Sequence, residues 1–210
     1  DRPAFENVIC HGILLAEDGG KLSKKLRNYT EPALIFEQQG ADALRWYLMS
    51  SNIVRSGDLR ISDAGITDVV RQVLLPIWNA YSFFTLYANV DGYRAEMRTD
   101  STRLLDRYLL AKTRTLIESV TRHMDAYDLP GATAEIQGFT DALNNWYIRR
   151  SRDRFWAKSS QSNDADKRDA YDTLYTVLVT LSRCVSPLLP FITETIHRGL
   201  TKELSVHLAD

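Results

Sequence analysis

Four long stretches in which apolar residues recur at spacings of three and four constrain the fold of this chain most strongly. This spacing places the apolar side chains on one face of a helix and leaves a polar back. A shorter fifth helix follows them, and the four stretches cover residues 66–89, 102–127, 132–157 and 165–185. Helices of this kind bury their apolar faces against each other, and short connections favour antiparallel neighbours. The pattern therefore predicts an antiparallel helical bundle.

Local signals refine this bundle. Pro76 lies inside the first stretch and predicts a kink there. Asp100 or Ser101 is expected to cap the second helix, and Asn163 or Asp164 the fourth. The connection at 159–163 has the sequence SSQSN, which is typical of a mobile loop.

The first 62 residues follow a different pattern. Residues 5–15 are apolar and partly β-branched and end at a Gly-rich turn, which predicts a strand and a tight turn. A polar, lysine-rich loop follows, and residues 42–51 return to helical spacing with Leu44, Tyr47 and Leu48 on the apolar face. Trp46 and Trp78 are expected in the core. The predicted fold class is therefore mainly α, with a small α/β segment at 1–62 before the helical bundle at 63–210.

Composition and residue spacing argue against a disulfide-stabilised, metal-binding or membrane-spanning protein. The net charge is −1, so a nucleic-acid surface would have to come from local clustering of cations. Cys10 and Cys184 lie far apart, which suits a reducing cytosol, and the Cys10–His11 pair has no further ligands at zinc-site spacing. We therefore predict no metal site. No run of 18 apolar residues and no signal peptide is visible, which favours a cytoplasmic protein.

The lysine-rich loop is the first candidate site. Lys21 and Lys24 are three residues apart behind a pair of glycines, and both ammonium groups can point at one polyphosphate. Ser23 adds a hydroxyl donor. A solvated basic loop is the alternative interpretation of this spacing. The loop is not a P-loop, because the G-x-x-x-x-G-K-[ST] pattern is missing.

A cluster of arginines at 149–154 is the second candidate site, and aromatic side chains interleave with it. Basic groups neutralise phosphate, and aromatic rings stack on unpaired bases. Continued at 100° per residue, the apolar stripe of this helix runs into Arg150 and Arg154, which we expect to turn inward towards carboxylates. The outward set, expected to face RNA, is Arg149, Arg152 and Trp156. The alternative is that all of these residues are structural or solvated.

The segment HGILLAEDGGKLSKKLRNYTEP resembles the second signature of the class I aminoacyl-tRNA synthetases, usually written KMSKS. Leu22 replaces its methionine, and Lys25 replaces its final serine, which removes a hydroxyl at that position. The resemblance implies that Lys21, Ser23 and Lys24 bind the phosphates of ATP. It also implies that Lys21 and Lys24 act in catalysis by stabilising the pyrophosphate leaving group.

The flanking segments resemble the isoleucyl branch of that family. They are HGILLAEDG, RNYTEP, GADALRWYLMSS and NNWYIRRSRDRFW. The resemblance implies that residues 1–62 are the C-terminal remnant of the catalytic domain and that residues 63–210 form the anticodon-binding domain. The same region of a valyl or leucyl enzyme, or a non-enzymatic interaction bundle, remains an alternative.

The resemblance also implies substrates and partners. The parent enzyme would attach isoleucine to tRNA(Ile) with ATP and Mg²⁺, as a monomer with no membrane partner. Both ends of the chain look cut, and the family's other signature, HIGH, is missing from these residues. We therefore expect the chain by itself to hold no ATP and to be inactive.

Overall fold

The computed structural model describes residues 3–157 and 164–209, and most of them are helical. The elements in chain order are β1 (Leu14–Leu15), α1 (Pro32–Gln39), α2 (Ala41–Met49), a 3₁₀ turn (Asn52–Arg55), β2 (Leu59–Arg60), α3 (Asp63–Val69), a first π turn (Val70–Leu74), α4 (Leu75–Asp91), α5 (Leu104–Asp125), α6 (Leu129–Asp141), a second π turn (Ala142–Ile148), α7 (Arg149–Trp156), α8 (Asp164–Val185), α9 (Pro190–Thr201) and a last 3₁₀ turn (Val206–Leu208). The predicted mainly α fold class is confirmed.

The strand predicted at 5–15 is much shorter than expected. Only Leu14–Leu15 form β1, which pairs in parallel with β2. Phe5 and Val8 lie exposed before it. A strand needs a neighbour for its backbone groups, and among the described residues β2 offers only two positions.

The tight turn after β1 is confirmed. The amide of Ala16 donates to the carbonyl of Gly20, and the amide of Gly19 donates back to Ala16, both at 2.8 Å. Gly19 has a φ of +84°, a conformation in which a side chain would be strained. Lys21 then bridges back to Leu15 in antiparallel fashion, so the backbone at the start of the lysine loop is held.

Helix α1 was not predicted from the sequence, in which the polar lysine-rich loop ends at Pro32 and helical spacing begins only at residue 42. Proline is favoured in the first turn of a helix, where its missing N–H is not needed, and Pro32 is the first residue of α1. Gly40, with a φ of +84°, then turns the chain into α2. Ala43 and Trp46 of α2 are buried, so the core position predicted for Trp46 is confirmed. The predicted apolar face, Leu44, Tyr47 and Leu48, is only half-buried.

The predicted helix at 66–89 is interrupted by the first π turn, which lies just before Pro76. A proline ring crowds the carbonyl of the preceding turn, and a π turn widens the backbone there. Ile77 and Phe84 are buried at ordinary helical spacing from Val73, whereas Trp78 lies at the edge of this face and is 38% exposed, so the core position predicted for Trp78 is wrong.

Helix α8 lies at the centre of the bundle, where it packs against α4, α5, α7 and α9. Its fully buried apolar side chains point in several directions: Ala170, Leu174, Val177, Leu178 and Val179. Helices α5 and α6, joined by three residues, pack side by side and are antiparallel as predicted. None of the helices in the described residues is long and apolar enough to cross a membrane.

The cap predicted for the second long helix is wrong. Helix α5 begins at Leu104, and its cap residue, Arg103, makes no side-chain cap bond. Ser101 instead accepts from the amide of Arg103 at 3.3 Å and donates to Asp106 at 2.9 Å. The loop predicted at 159–163, with the possible cap Asn163, lies outside the described residues.

Candidate phosphate-binding loop and RNA-binding face

The lysine loop is held from within by one side chain, Asn28. Its Oδ1 accepts from the amide of Ser23 at 2.9 Å, and its Nδ2 donates to the carbonyl of Lys21 at 3.1 Å. The Asn28 side chain therefore joins two backbone positions of the loop and closes it. Nothing in the predicted site pointed to Asn28, although asparagine side chains often bond to nearby backbone in turns.

Ser23 lies in the tight part of the loop. Its Oγ accepts from the amide of Leu26 at 3.3 Å, and its carbonyl accepts from the amide of Arg27 at 2.9 Å. The hydroxyl oxygen is thus engaged as an acceptor, while its proton can still be donated to a ligand. Arg27 has a φ of +50°, which reverses the chain at this point.

The lysine side chains of this loop point into solvent. Lys21, Lys24 and Lys25 are exposed. No Asp or Glu in the described residues forms an ion pair with any of the three. Their charge is therefore free to attract an anion such as a polyphosphate.

The arginine helix is α7, and the second π turn decides which side chains it buries. A π turn adds about one residue to the helix, so residues after it lag by roughly 100° behind an α-helical projection. The buried stripe that includes Leu143 and Tyr147 therefore continues through Ser151 and Phe155. Neither of the arginines predicted to continue the stripe is fully buried.

Arg154 lies beside this stripe and does turn inward as predicted. It forms a two-bond pair with the fully buried carboxylate of Asp106, with Nη1–Oδ1 at 2.6 Å and Nη2–Oδ2 at 2.8 Å. Tyr147 donates to Oδ1 of Asp106 at 2.8 Å. Arg154 also contacts Oδ1 of Asp166 at 3.1 Å. This network therefore attaches α7 to α5 and α8.

The charges of this network alter two pKa values. Burial alone would lower the pKa of Arg154, but its hydrogen bonds to Asp106 and the neighbouring negative charge raise it above the ordinary value. Burial, with the charge of Asp106, raises the pKa of Tyr147 well above its ordinary value. The arginine therefore stays charged and the tyrosine stays neutral, which matches a donor–acceptor network around one carboxylate.

Arg150 does not turn inward, which corrects the prediction. It is exposed, and its guanidinium lies 5.4 Å from the centre of the Trp146 ring. That ring packs against Tyr108 of α5 at 4.4 Å, and Lys112 lies 6.0 Å from the Tyr108 ring. The lag introduced by the second π turn explains the error, because an unbroken α-helix would have placed Arg150 closer to the core.

The predicted outward set is exposed. Arg149 and Arg152 face solvent, and Trp156 is 52% exposed. The Trp156 ring leans on Tyr87 of α4, with centroids 6.5 Å apart. No Asp or Glu in the described part of the chain forms an ion pair with Arg149 or Arg152.

A polar cavity of about 530 Å³ adjoins Arg152, between α4 and the second π turn. Amide side chains dominate its polar lining: Gln72, Asn79, Gln137, Asn144 and Asn145. An amide group carries both donors and acceptors, as the edges of nucleobases do. The Nδ2 groups of Asn144 and Asn145 already donate to neighbouring residues, which leaves their oxygens as acceptors. The cavity could not be seen in the sequence because its walls come from segments about 70 residues apart.

The lysine loop and α7 are separate surfaces. No hydrogen bond or ion pair found in residues 3–157 and 164–209 joins the two directly. Within the same residues, no group of three or more His, Cys, Asp or Glu side chains is placed to hold a metal ion. Cys10 and Cys184 are free thiols.

Two family profiles match the chain and cover most of it. Residues 106–210 match the anticodon-binding domain of tRNA ligases, and residues 1–62 match the class I tRNA synthetases of the I, L, M and V group. The first of these matches spans half of the chain. The chain belongs to the class I aminoacyl-tRNA synthetases. The matches therefore place the chain in a family of tRNA ligases and not among unrelated helical bundles.

Several isoleucine–tRNA ligases are similar to this chain over its whole length. The proteins of Leifsonia xyli subsp. xyli and Mycobacterium tuberculosis are 54% and 52% identical over 210 residues, which is 100% of this chain and 19% of each relative. The Tropheryma whipplei protein is 47% identical over 213 residues, covering 100% of this chain and 20% of its own length. The resemblance to the isoleucyl branch is confirmed, and the chain spans about a fifth of these relatives.

Solved synthetase structures share the fold. One is the ternary complex of an Agrobacterium radiobacter K84 leucyl-tRNA synthetase with tRNA and LeuAMS, with a TM-score of 0.69, 20% identity, and coverage of 93% of this chain and 22% of that one. Another is Mycobacterium tuberculosis methionyl-tRNA synthetase bound by methionyl-adenylate, with a TM-score of 0.71, 23% identity, and coverage of 89% and 36%. Because these identities are below 25%, the similarity supports the fold of this chain and does not extend to its function.

Proposed function

We propose that this chain forms the part of an isoleucine–tRNA ligase that binds the phosphates of ATP and the anticodon region of tRNA(Ile). Residues 1–62 would carry the first role, as the end of the catalytic domain, and residues 63–210 the second. The observation that supports this proposal is two surfaces of unpaired cations, Lys21 with Lys24 and Arg149 with Arg152.

The lysine loop suits a polyphosphate whose charge shifts during reaction. Lys21 and Lys24 would hold the phosphates, and the hydroxyl proton of Ser23 is free to be donated to a phosphate oxygen. ATP would supply the activation of the isoleucine carboxylate, with pyrophosphate as the leaving group. Ammonium groups that meet the growing negative charge lower the barrier more than they tighten ground-state binding.

Magnesium would arrive with the ATP. Mg²⁺ prefers phosphate oxygens and water over cages built wholly from protein. The chain's contribution is then to position its lysines around a charge that the metal partly neutralises. These residues fit that task because they bring cations on a loop whose backbone is already closed by Asn28.

The outer side of α7 suits single-stranded RNA. Arg149 and Arg152 can neutralise phosphates, and the exposed ring of Trp156 can stack on an unpaired base. The neighbouring cavity can accept a base edge through its amide groups. Direct contact with tRNA by Arg149, Arg152 and Trp156 is therefore part of this proposal.

Isoleucine-dependent exchange of pyrophosphate into ATP by the full-length protein that contains this sequence tests the activation step. Charging of tRNA(Ile) in the same preparation tests the transfer step. We expect both activities, and exchange driven equally well by leucine would contradict the isoleucyl assignment. We also propose that the protein acts as a monomer in the cytoplasm, and a dimer mass by light scattering would contradict the first part of that statement.

A further inference from the structure

Asp128 lies in the turn between α5 and α6, where it meets side chains or backbone from three different elements. It forms an ion pair with Arg55 of the first 3₁₀ turn. Its Oδ2 is hydrogen-bonded to Nδ1 of His123 at 2.9 Å, and its Oδ1 accepts from the amide of Gly131 at 3.2 Å. We call the Arg55–Asp128 pair the clasp.

One side of the clasp is the start of the helix that carries the RNA-binding face. Asp128 caps α6, and α6, the second π turn and α7 form one continuous helical run from 129 to 156. The packing here is tight. A Cβ added to Gly131 would lie 2.4 Å from Nδ1 of His123 and 2.2 Å from Oδ2 of Asp128. The clasp therefore contacts the N-terminal end of the helical run whose last part is α7.

The other side of the clasp is joined to the strand that leads into the lysine loop. The carbonyl of Ile53, in the same 3₁₀ turn as Arg55, accepts from the amide of Gly12 at 2.8 Å. Ser56 donates to the carbonyl of Cys10 at 3.1 Å. The 3₁₀ turn that carries Arg55 is therefore joined to the segment that leads into β1.

A second attachment lies at the start of α9, at the same end of the bundle as the turn between α5 and α6, since Asp125 and Pro187 line one cavity. The carboxylate of Asp42 accepts from the amides of Phe191 and Ile192, at 3.2 Å and 2.8 Å, at the start of α9. Arg45 donates to the carbonyl of Pro187 at 2.9 Å. Ala43 and Trp46 of α2 also pack into the core of the bundle, so the clasp adds a polar contact to an interface that is already apolar at its centre.

We propose that Arg55 and Asp128 are positioning residues that fix the register between the lysine loop and the RNA-binding face of α7. Resting on the proposed function, this inference predicts a division between the two half-reactions. Activation of the amino acid needs only the catalytic side, so it does not depend on the clasp. Transfer to tRNA needs one tRNA to reach both surfaces at once, so it does depend on the clasp.

The exposure of the clasp separates positioning from stability. The side chains of Arg55 and Asp128 are 54% and 27% exposed. Ion pairs this open to solvent contribute little to folding free energy. Removing the guanidinium should therefore leave the melting temperature nearly unchanged, while a small rotation of the bundle lowers the rate of a step that needs both surfaces.

The test uses Arg55→Ala and Arg55→Lys in the full-length protein, with Arg71→Ala as control. Arg71 forms a more exposed pair with Asp68 at 2.8 Å, and this pair lies within a single helical stretch. We expect Arg55→Ala to lower kcat/KM for tRNA charging about tenfold and to leave pyrophosphate exchange within about twofold. Arg55→Lys should restore most of the loss, and Arg71→Ala should change neither activity.

Asp128→Asn adds a double-mutant cycle, because it keeps an acceptor for Gly131 and removes the charge that Arg55 contacts. The charging defects of Arg55→Ala and Asp128→Asn should not add in the double variant. Equal losses in pyrophosphate exchange and charging, or additive defects, would overturn the proposal, as would an Arg55→Ala protein that charges tRNA normally. A wild-type protein without isoleucine-dependent exchange would instead refute the proposed function.

Discussion

The lysine loop and the arginine helix both present unpaired cations, but they are held in opposite ways. The loop is closed by one of its own side chains, Asn28, and its three lysines extend into solvent. The helix is rooted by Arg154 in a fully buried carboxylate from another helix. A surface held by short-range bonds can change shape around a reacting group, whereas a surface rooted in the core stays fixed. We therefore expect substitutions in the loop to affect rate, and substitutions at the root of the helix to affect stability.

The largest effect is expected at the root of the helix. Arg154→Ala would leave the buried carboxylate of Asp106 without its ionic partner, a change that costs about 3–5 kcal/mol of unfolding free energy. Urea unfolding of the full-length protein measures it, with Arg114→Ala as control, since Arg114 forms only an exposed pair with Glu118. An Arg154→Ala protein as stable as the control would show that the network does not anchor α7.

The second largest effect is expected in the lysine loop. It should appear in the rate of amino-acid activation and not in the free energy of unfolding. On the proposed function, Lys24→Ala removes one charge that meets the leaving pyrophosphate, which should lower the activation rate about 10²-fold. Ground-state binding of ATP should suffer less, and the unfolding midpoint should not move. Lys25→Ala is the matched control, because it removes an equally exposed lysine beside it. A loss confined to ATP affinity would contradict the transition-state role.

Asn28→Ala tests whether the loop is closed by its own side chain. The change removes both hydrogen bonds that join Ser23 and Lys21, each worth about 0.5–1.5 kcal/mol. We expect activation to slow about tenfold, because the lysines lose their fixed backbone. Asn28→Asp keeps the acceptor for Ser23 and loses the donor to Lys21. Its activation rate should therefore lie between those of the wild type and Asn28→Ala. Wild-type activation by Asn28→Ala would mean that the loop needs no such closure.

The smallest effects are expected on the outer surface of α7. Arg152→Ala should weaken tRNA binding several-fold and flatten the salt dependence of the affinity by roughly one unit if one phosphate contact is lost. Its stability should stay within about 0.5 kcal/mol of wild type. Arg150→Ala, on the opposite side of the helix, serves for comparison. If Arg150→Ala alone weakens tRNA binding, the RNA lies across the Trp146–Tyr108 side instead.

Much of the architecture follows from local chemistry and could be predicted from the sequence. The spacing of apolar residues identified the long helices, and the glycines before Lys21 identified the turn that starts the loop. The KMSKS-like segment identified the family, because its flanks extend the match. These features are local, so a single stretch of sequence contains the information that specifies them.

Features that depend on distant segments required the tertiary structure. Arg150 and Arg154 look equivalent in sequence and both follow the second π turn, yet only Arg154 meets a buried carboxylate, that of Asp106, 48 residues earlier in the chain. The length of β1 depended on the two positions that β2 offers. Arg55 and Asp128 are ordinary surface residues until the fold brings them together across 73 residues. The sequence by itself determined which residues can bind phosphate or stack on a base, whereas packing between distant segments decided which of them are buried, which stay free, and how the two surfaces are joined.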